Sequence, residues 1–128
     1  MENIYITSAL RTAVGSIGKS LKNISADKLG SEVILKNIED SKISNIDVDE
    51  IVMGQVLTGG TGQNPARQAA IRSGIPKEKP AYIVNQVCGS GIRSVVSGYQ
   101  SIKSKDSKIV VAGGQESMSL APHSVHLR

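Results

Sequence analysis

The 128-residue chain contains no phenylalanine and no tryptophan, and it has a single cysteine. Ile, Val, Leu and Ala must therefore fill the core. The stacking side chains that single-stranded nucleic acids use are also missing, so a nucleic-acid partner is not expected. One cysteine cannot close an internal disulfide, and nothing points to an oxidising compartment. No apolar run has the length of a membrane span, and no membrane partner is expected. No N-terminal stretch joins a basic start, an apolar segment and a small-residue cleavage site. One soluble domain in the cytoplasm is the default expectation. The formal net charge is +4. The lysines are spread along the chain, so this reads as solubility charge and not as a polyanion site.

What is present is an alternation of apolar strands and amphipathic helices. Ile4-Tyr5-Ile6-Thr7-Ser8-Ala9 reads as a first strand. A Gly/Ser-bearing loop over 11–22 leads to a helix with Ser25 as its N-cap. Ala26, Leu29, Gly30, Val33, Ile34 and Ile38 share one face of that helix. Ile51-Val52-Met53 is a second strand. Asn64 and Pro65 suit the N-cap and first position of a second helix, and Gly74 suits its left-handed stop. Ala81-Tyr82-Ile83-Val84-Asn85 is a third strand. Ile92, Val95, Val96, Tyr99 and Ile102 form the apolar stripe of a third helix. Residues 108–114 form a fourth strand whose continuous apolar run asks for cover on both faces. The order βαβαβαβ predicts an α/β fold with a mostly parallel sheet layered between helices.

Most polar motifs favour structure over chemistry. Gly60-Thr61-Gly62-Gln63-Asn64-Pro65 has proline where a dinucleotide fingerprint needs its third glycine, and no phosphate-binding lysine follows. His123 and His126 lack the third ligand of a catalytic zinc site, so no metal is expected. Glu116 could serve as a general acid or base, but a carboxylate just past a strand more often binds local backbone N–H groups. Arg67 near a helix start gains nothing from the dipole, so it is either held by a specific carboxylate or carbonyl or is a solvated arginine, and the sequence does not choose.

Cys88 is different. It lies in Val87-Cys88-Gly89-Ser90-Gly91, between the third strand and the third helix. A helix start offers unpaired N–H groups and partial positive charge, which favour the sulfur anion, the nucleophilic form of cysteine. Its glycines allow a carbonyl to approach the backbone. A full nucleophile needs a base, usually histidine, and neither histidine here has a supporting context.

At these residues the chain resembles the thiolase family. Asn85-Gln86-Val87-Cys88-Gly89-Ser90-Gly91-Ile92-Arg93-Ser94-Val95 is similar to the family's nucleophile motif, and Gly62-Gln63-Asn64-Pro65-Ala66-Arg67-Gln68-Ala69-Ala70 to its second-helix signature. Arg11-Thr12-Ala13-Val14-Gly15 and Ala112-Gly113-Gly114-Gln115-Glu116-Ser117-Met118-Ser119 match the segments after the first and fourth strands. The Cys-Gly-Ser-Gly form is most similar to the biosynthetic branch that forms acetoacetyl-CoA, where Met commonly stands in place of Gln115.

The resemblance implies two similar βαβαβαββ halves and a coenzyme A-binding loop domain, in chains about three times this length. Residues 1–116 would be an N-terminal half-domain lacking its fifth strand, and 117–128 the start of the loop domain. It implies an acyltransferase that joins two acetyl-CoA through an acetyl-thioester on Cys88. The Cys88 N–H would contribute to an oxyanion hole, and the partner histidine, second cysteine and asparagine would lie outside this chain. Coenzyme A enters as substrate and product, with no separate cofactor. The third strand, Ala81 to Asn85, would pair across a dyad in a homodimer or homotetramer. A β-ketoacyl synthase-like condensing enzyme and a non-catalytic acyl-CoA-binding protein of the same fold are the alternatives.

Overall fold

Alternation along strand β1 (Glu50–Gly54) decides the layering of the computed structural model, which describes residues 3–127. Successive side chains on a strand point to opposite faces. Ile51 and Met53 join a buried cluster with Ile34, Ile38, Val48, Ala66, Ala69, Ala70 and Ile75. Val52 and Gly54 turn the other way. β1 is the central strand of a parallel three-stranded sheet of order β2-β1-β3, with β2 at Ala81–Val84 and β3 at Val110–Gly114. Gly54 stands opposite both Val84 and Gly114, so the three strands end level. That level end, at the strands' C-termini, is where the loops of a parallel sheet gather its chemistry.

Helices α1 (Ala26–Asp40) and α2 (Pro65–Arg72) cover the Ile51 and Met53 face. Of the predicted stripe on α1, Ala26, Gly30, Ile34 and Ile38 are buried, while Leu29 and Val33 are half-buried. Ser25 takes the N-cap position with extended backbone, but its hydroxyl makes no capping bond. On α2 the expected cap is made: Asn64 Oδ1 accepts from the Arg67 N–H at 3.1 Å. Pro65 opens the helix, and Gly74 follows it with φ +80°. Arg72 is ion-paired with Asp27, which ties the two helices together.

Helix α3 (Ser90–Lys103) covers the opposite face, but not with its apolar stripe. Ser90, Ser94 and Gly98, one turn apart, are the buried residues. A Cβ on Gly98 would lie 3.0 Å from Val110 Cγ1, and Ser94 Oγ donates toward the Gly113 carbonyl at 2.7 Å. Small side chains let the helix backbone settle close on the sheet. Ile92, Val95, Val96 and Tyr99 consequently face outward, Ile92 with 74% of its surface exposed. The spacing was legible, but spacing does not say which of two faces meets the sheet.

The strand predicted over 4–9 is not part of the sheet. This segment is held to α1 and the turn after it: the hydroxyls of Thr7 and Ser41 lie 2.8 Å apart, and the Leu10 N–H donates to Asn37 Oδ1 at 3.3 Å. A groove of about 830 Å³, walled by α1 and α3, separates it from β3. A ladder needs strands about 4.8 Å apart, and across this gap neither β3 nor residues 4–9 find a partner. β3 is therefore a second edge of the sheet, and its residues are half-buried or exposed, short of the two-sided cover its apolar run predicted.

Candidate functional site

The segment between β2 and α3 is a tight turn built by side chains on either side of Cys88. The Gly89 N–H donates to the Gln86 carbonyl at 3.0 Å, which closes a β-turn over Val87 and Cys88. Val87 has φ +51°, an uncommon conformation for a β-branched residue. Asn85 Oδ1 accepts from the Val87 N–H at 3.0 Å, and its amide donates to the Val56 carbonyl at 3.3 Å. Ser90, only 4% exposed, completes the arrangement. Its hydroxyl accepts from the Gln86 N–H at 2.9 Å and donates to the Val87 carbonyl at 2.6 Å. Cys88 itself is a free, exposed thiol. It immediately precedes Gly89, the N-cap of α3, so it stands at the mouth of that helix and not inside its first turn.

The sheet sets the position of this turn. A Cβ on Gly54 would come within 2.4 Å of the Ser90 carbonyl carbon, so only glycine lets the start of α3 rest on the end of β1. From β3, a Cβ built on Gly114 would lie 3.5 Å from Gly91 Cα, facing the same place. The C-terminal ends of β1 and β3 thus form the floor beneath the Cys88 turn.

The other candidates hold structure. Glu116 accepts from the Val56 N–H at 2.8 Å and the Leu57 N–H at 3.2 Å, the local role expected of such a carboxylate. Its carboxylate pins the loop leaving β1 to the segment leaving β3. Buried Gln115 donates to buried Gln55 at 2.9 Å, which in turn donates to the Leu57 carbonyl at 3.0 Å. Arg67 is held by the carbonyls of Lys77 and Lys79, and Asn64 donates to the Ala81 carbonyl at 2.8 Å. Both side chains therefore fasten the approach to edge strand β2. On β2, partial burial and the nearby Glu50 carboxylate push the Tyr82 phenol up from its ordinary range. Among the described residues, Arg11 bonds only its neighbour's carbonyl, on Thr12. His123 and His126 are exposed and lie in a stretch without regular structure. Among the described residues no group of three His, Cys, Asp or Glu side chains could hold a metal.

Sequence reading alone singled out neither Ser90, Val87 nor Asn85. The signal was available: a serine two residues after the cysteine and an asparagine three before it are the residue types that bond nearby backbone. The positive φ at Val87 had none, because valine gives no hint of it.

A parallel α/β sheet with a cysteine presented at its C-terminal edge, on a turn leading into a helix, is an arrangement suited to a thiol nucleophile. The family model for the thiolase N-terminal domain matches residues 4–128, and the chain belongs to the thiolase family. It is 52% identical over 126 residues to an acetyl-CoA acetyltransferase of Rhizobium meliloti, covering 98% of this chain and 32% of that protein. It is 46% identical to a cytosolic acetyl-CoA acetyltransferase of Rattus norvegicus, again covering 98% and 32%. A thiolase from Ascaris suum, solved in complex with coenzyme A, superposes with a TM-score of 0.95 at 40% identity, covering 97% of this chain and 32% of that one. The chain thus spans about a third of the length of the curated relatives it matches. No helix among the described residues is long and apolar enough to cross a membrane.

Proposed function

We propose that the protein to which this chain belongs is an acetyl-CoA C-acetyltransferase, with Cys88 as its acyl-carrying nucleophile. The observation that carries the reading is the exposed Cys88 thiol on its clamped turn at the C-terminal edge of the sheet. The Cys88 sulfur anion attacks the carbonyl carbon of acetyl-CoA, the C–S bond to coenzyme A breaks, and the departing CoA sulfur takes up the proton that the Cys88 thiol gave up. One thioester replaces another, so the step is nearly isoenergetic and reversible. A second acetyl-CoA then gives up an α-proton to a base in the remaining two-thirds of the protein. Its carbanion attacks the acetyl carbonyl, acetoacetyl-CoA leaves, and the Cys88 sulfur is released. The Cys88 N–H is one oxyanion donor; losing such a donor costs about 2.7–4 kcal/mol. Coenzyme A is thus substrate and product, and the 128-residue chain alone is inactive.

The same reading gives the surfaces their roles. Residues 1–116 form the N-terminal half-domain and 117–128 begin the loop domain that binds coenzyme A. The groove beside β3 receives the half-domain's fifth strand, and the outward stripe of α3 meets the second half. Among the described residues, buried Ser8 Oγ and Gln115 Oε1 find no hydrogen-bond partner, and both residues line that groove, as a site awaiting a peptide strand should. Edge strand β2 pairs with its copy in a homodimer or homotetramer, and the enzyme is cytoplasmic.

The test is turnover of the full-length protein with acetyl-CoA, or with acetoacetyl-CoA and CoA, with mass spectrometry of Cys88. Acetylated Cys88 and activity lost in Cys88→Ser are expected. No activity in either direction with an intact thiol, or undiminished turnover in Cys88→Ser, overturns it.

A further inference from the structure

We infer that Ser90 is a positioning residue for acyl transfer: it holds the Val87–Cys88 peptide in the orientation that presents the Cys88 N–H. This rests on the reading of Cys88 as the nucleophile. The peptide between Val87 and Cys88 is the central one of the Gln86–Gly89 turn. Val87 has positive φ and Cys88 does not, the pattern of a type II′ turn, whose first central position ordinarily belongs to glycine. Flipping that one peptide gives a type I′ turn, which leaves Val87 in the ordinary left-handed region instead of the corner of the map reserved for glycine, at the cost of a positive φ at Cys88. Local preference alone therefore does not hold the peptide as it stands.

Ser90 opposes the flip from both sides. Its hydroxyl accepts from the Gln86 N–H at 2.9 Å and donates to the Val87 carbonyl at 2.6 Å, and the Ser90 N–H adds a second bond to that carbonyl at 3.1 Å. In a trans peptide the N–H points opposite to the C=O. With the Val87 carbonyl held against the first turn of α3, the Cys88 N–H must point away from it. The flipped peptide would turn this donor round while leaving the thiol in place. Asn85 Oδ1, on the Val87 N–H, supports the same geometry from upstream. The Ser90 hydroxyl is buried and thus guides the reaction through the peptide, without touching substrate.

The full-length protein provides the test, with two rates measured at Cys88. Single-turnover acetylation by acetyl-CoA needs the N–H donor, whereas alkylation by iodoacetamide needs only the thiol. Ser90→Ala should slow acetylation on the order of 10- to 100-fold, the scale of a misplaced reacting group, and alter alkylation less than about threefold. Asn85→Ala should act in the same direction. Adding Val87→Gly to Ser90→Ala should recover much of the loss, because glycine suits the first central position of a type II′ turn. Unchanged acetylation in Ser90→Ala, an equal fall in both rates, or no recovery with Val87→Gly overturns the positioning role. Wild-type protein that alkylates at Cys88 but never acetylates overturns the nucleophile reading, and this inference with it.

Discussion

Gly54 and Ser90 are in backbone contact: a Cβ built on Gly54 would sit 2.4 Å from the Ser90 carbonyl carbon and 2.6 Å from its oxygen. Neither atom belongs to a side chain that could rotate away, so a methyl group there must push α3 off the sheet. Overpacking of this kind costs about 1–3 kcal/mol. Gly54→Ala should therefore lower the urea midpoint of the full-length protein by that equivalent and slow acetylation of Cys88 as well. An unchanged midpoint would show that α3 and β1 are not in contact here.

Glu116 tests whether a carboxylate near the site works as a base or as a brace. Its two oxygens accept from the N–H groups of Val56 and Leu57, which leaves little freedom to take a proton from substrate. Glu116→Ala would orphan both donors, at a cost of about 1–3 kcal/mol if they stay shielded from water. The expected result is lower stability with an unaltered shape of the pH–rate profile. Loss of the profile's limb without loss of stability would reverse the assignment.

The central and outer strands, all three helices and the Asn64 cap were legible in the sequence because each rests on a local rule: apolar periodicity, a capping residue, a glycine stop. Cys88 stood out in the sequence because its neighbours are unusual for a buried thiol. Three features were not legible. The direction of α3 depends on Ser90, Ser94 and Gly98 being small enough to meet the sheet, a tertiary preference that its more conspicuous apolar stripe obscures. The exclusion of residues 4–9 from the sheet depends on what lies between them and β3, which no local pattern encodes. The left-handed Val87, whose carbonyl accepts from a hydroxyl three positions later, has no signal in a β-branched residue.

The Asp27–Arg72 pair gives a pH signature. Burial of Asp27 opposes its ionisation, but the Ser25 hydroxyl and the Arg72 guanidinium outweigh that and hold its carboxyl below the usual carboxylate range. A carboxyl whose folded value is lowered binds its proton more readily in the unfolded chain. The pair's stabilisation is thus complete above the unfolded value, near 4, and fades as pH falls through the lower folded one. Arg72 is half exposed, so the contribution is about 1 kcal/mol. Urea unfolding at a series of pH values below about 5 should show Asp27→Asn losing less stability on acidification than the parent. Parallel curves would mean that the pair contributes nothing.

The groove between residues 4–10 and β3 predicts a difference that hydrogen exchange can read. β3 pairs with β1 along one edge only, so the N–H groups on its other edge have no strand to bond. Residues 4–10 have no ladder at all, and Tyr5 and Ile6 are more than three-quarters exposed. A peptide strand laid in the groove would bond both edges and offer partners to Ser8 Oγ and Gln115 Oε1. In the 128-residue chain by itself, amides of residues 4–10 and of the outer edge of β3 should exchange rapidly, while those of β1 are retained. In the full-length protein both sets should become protected together, because one inserted strand covers both. Protection of β3 without residues 4–10 would mean that something other than a strand fills the gap, and equal exchange in the two proteins would mean that the groove stays open.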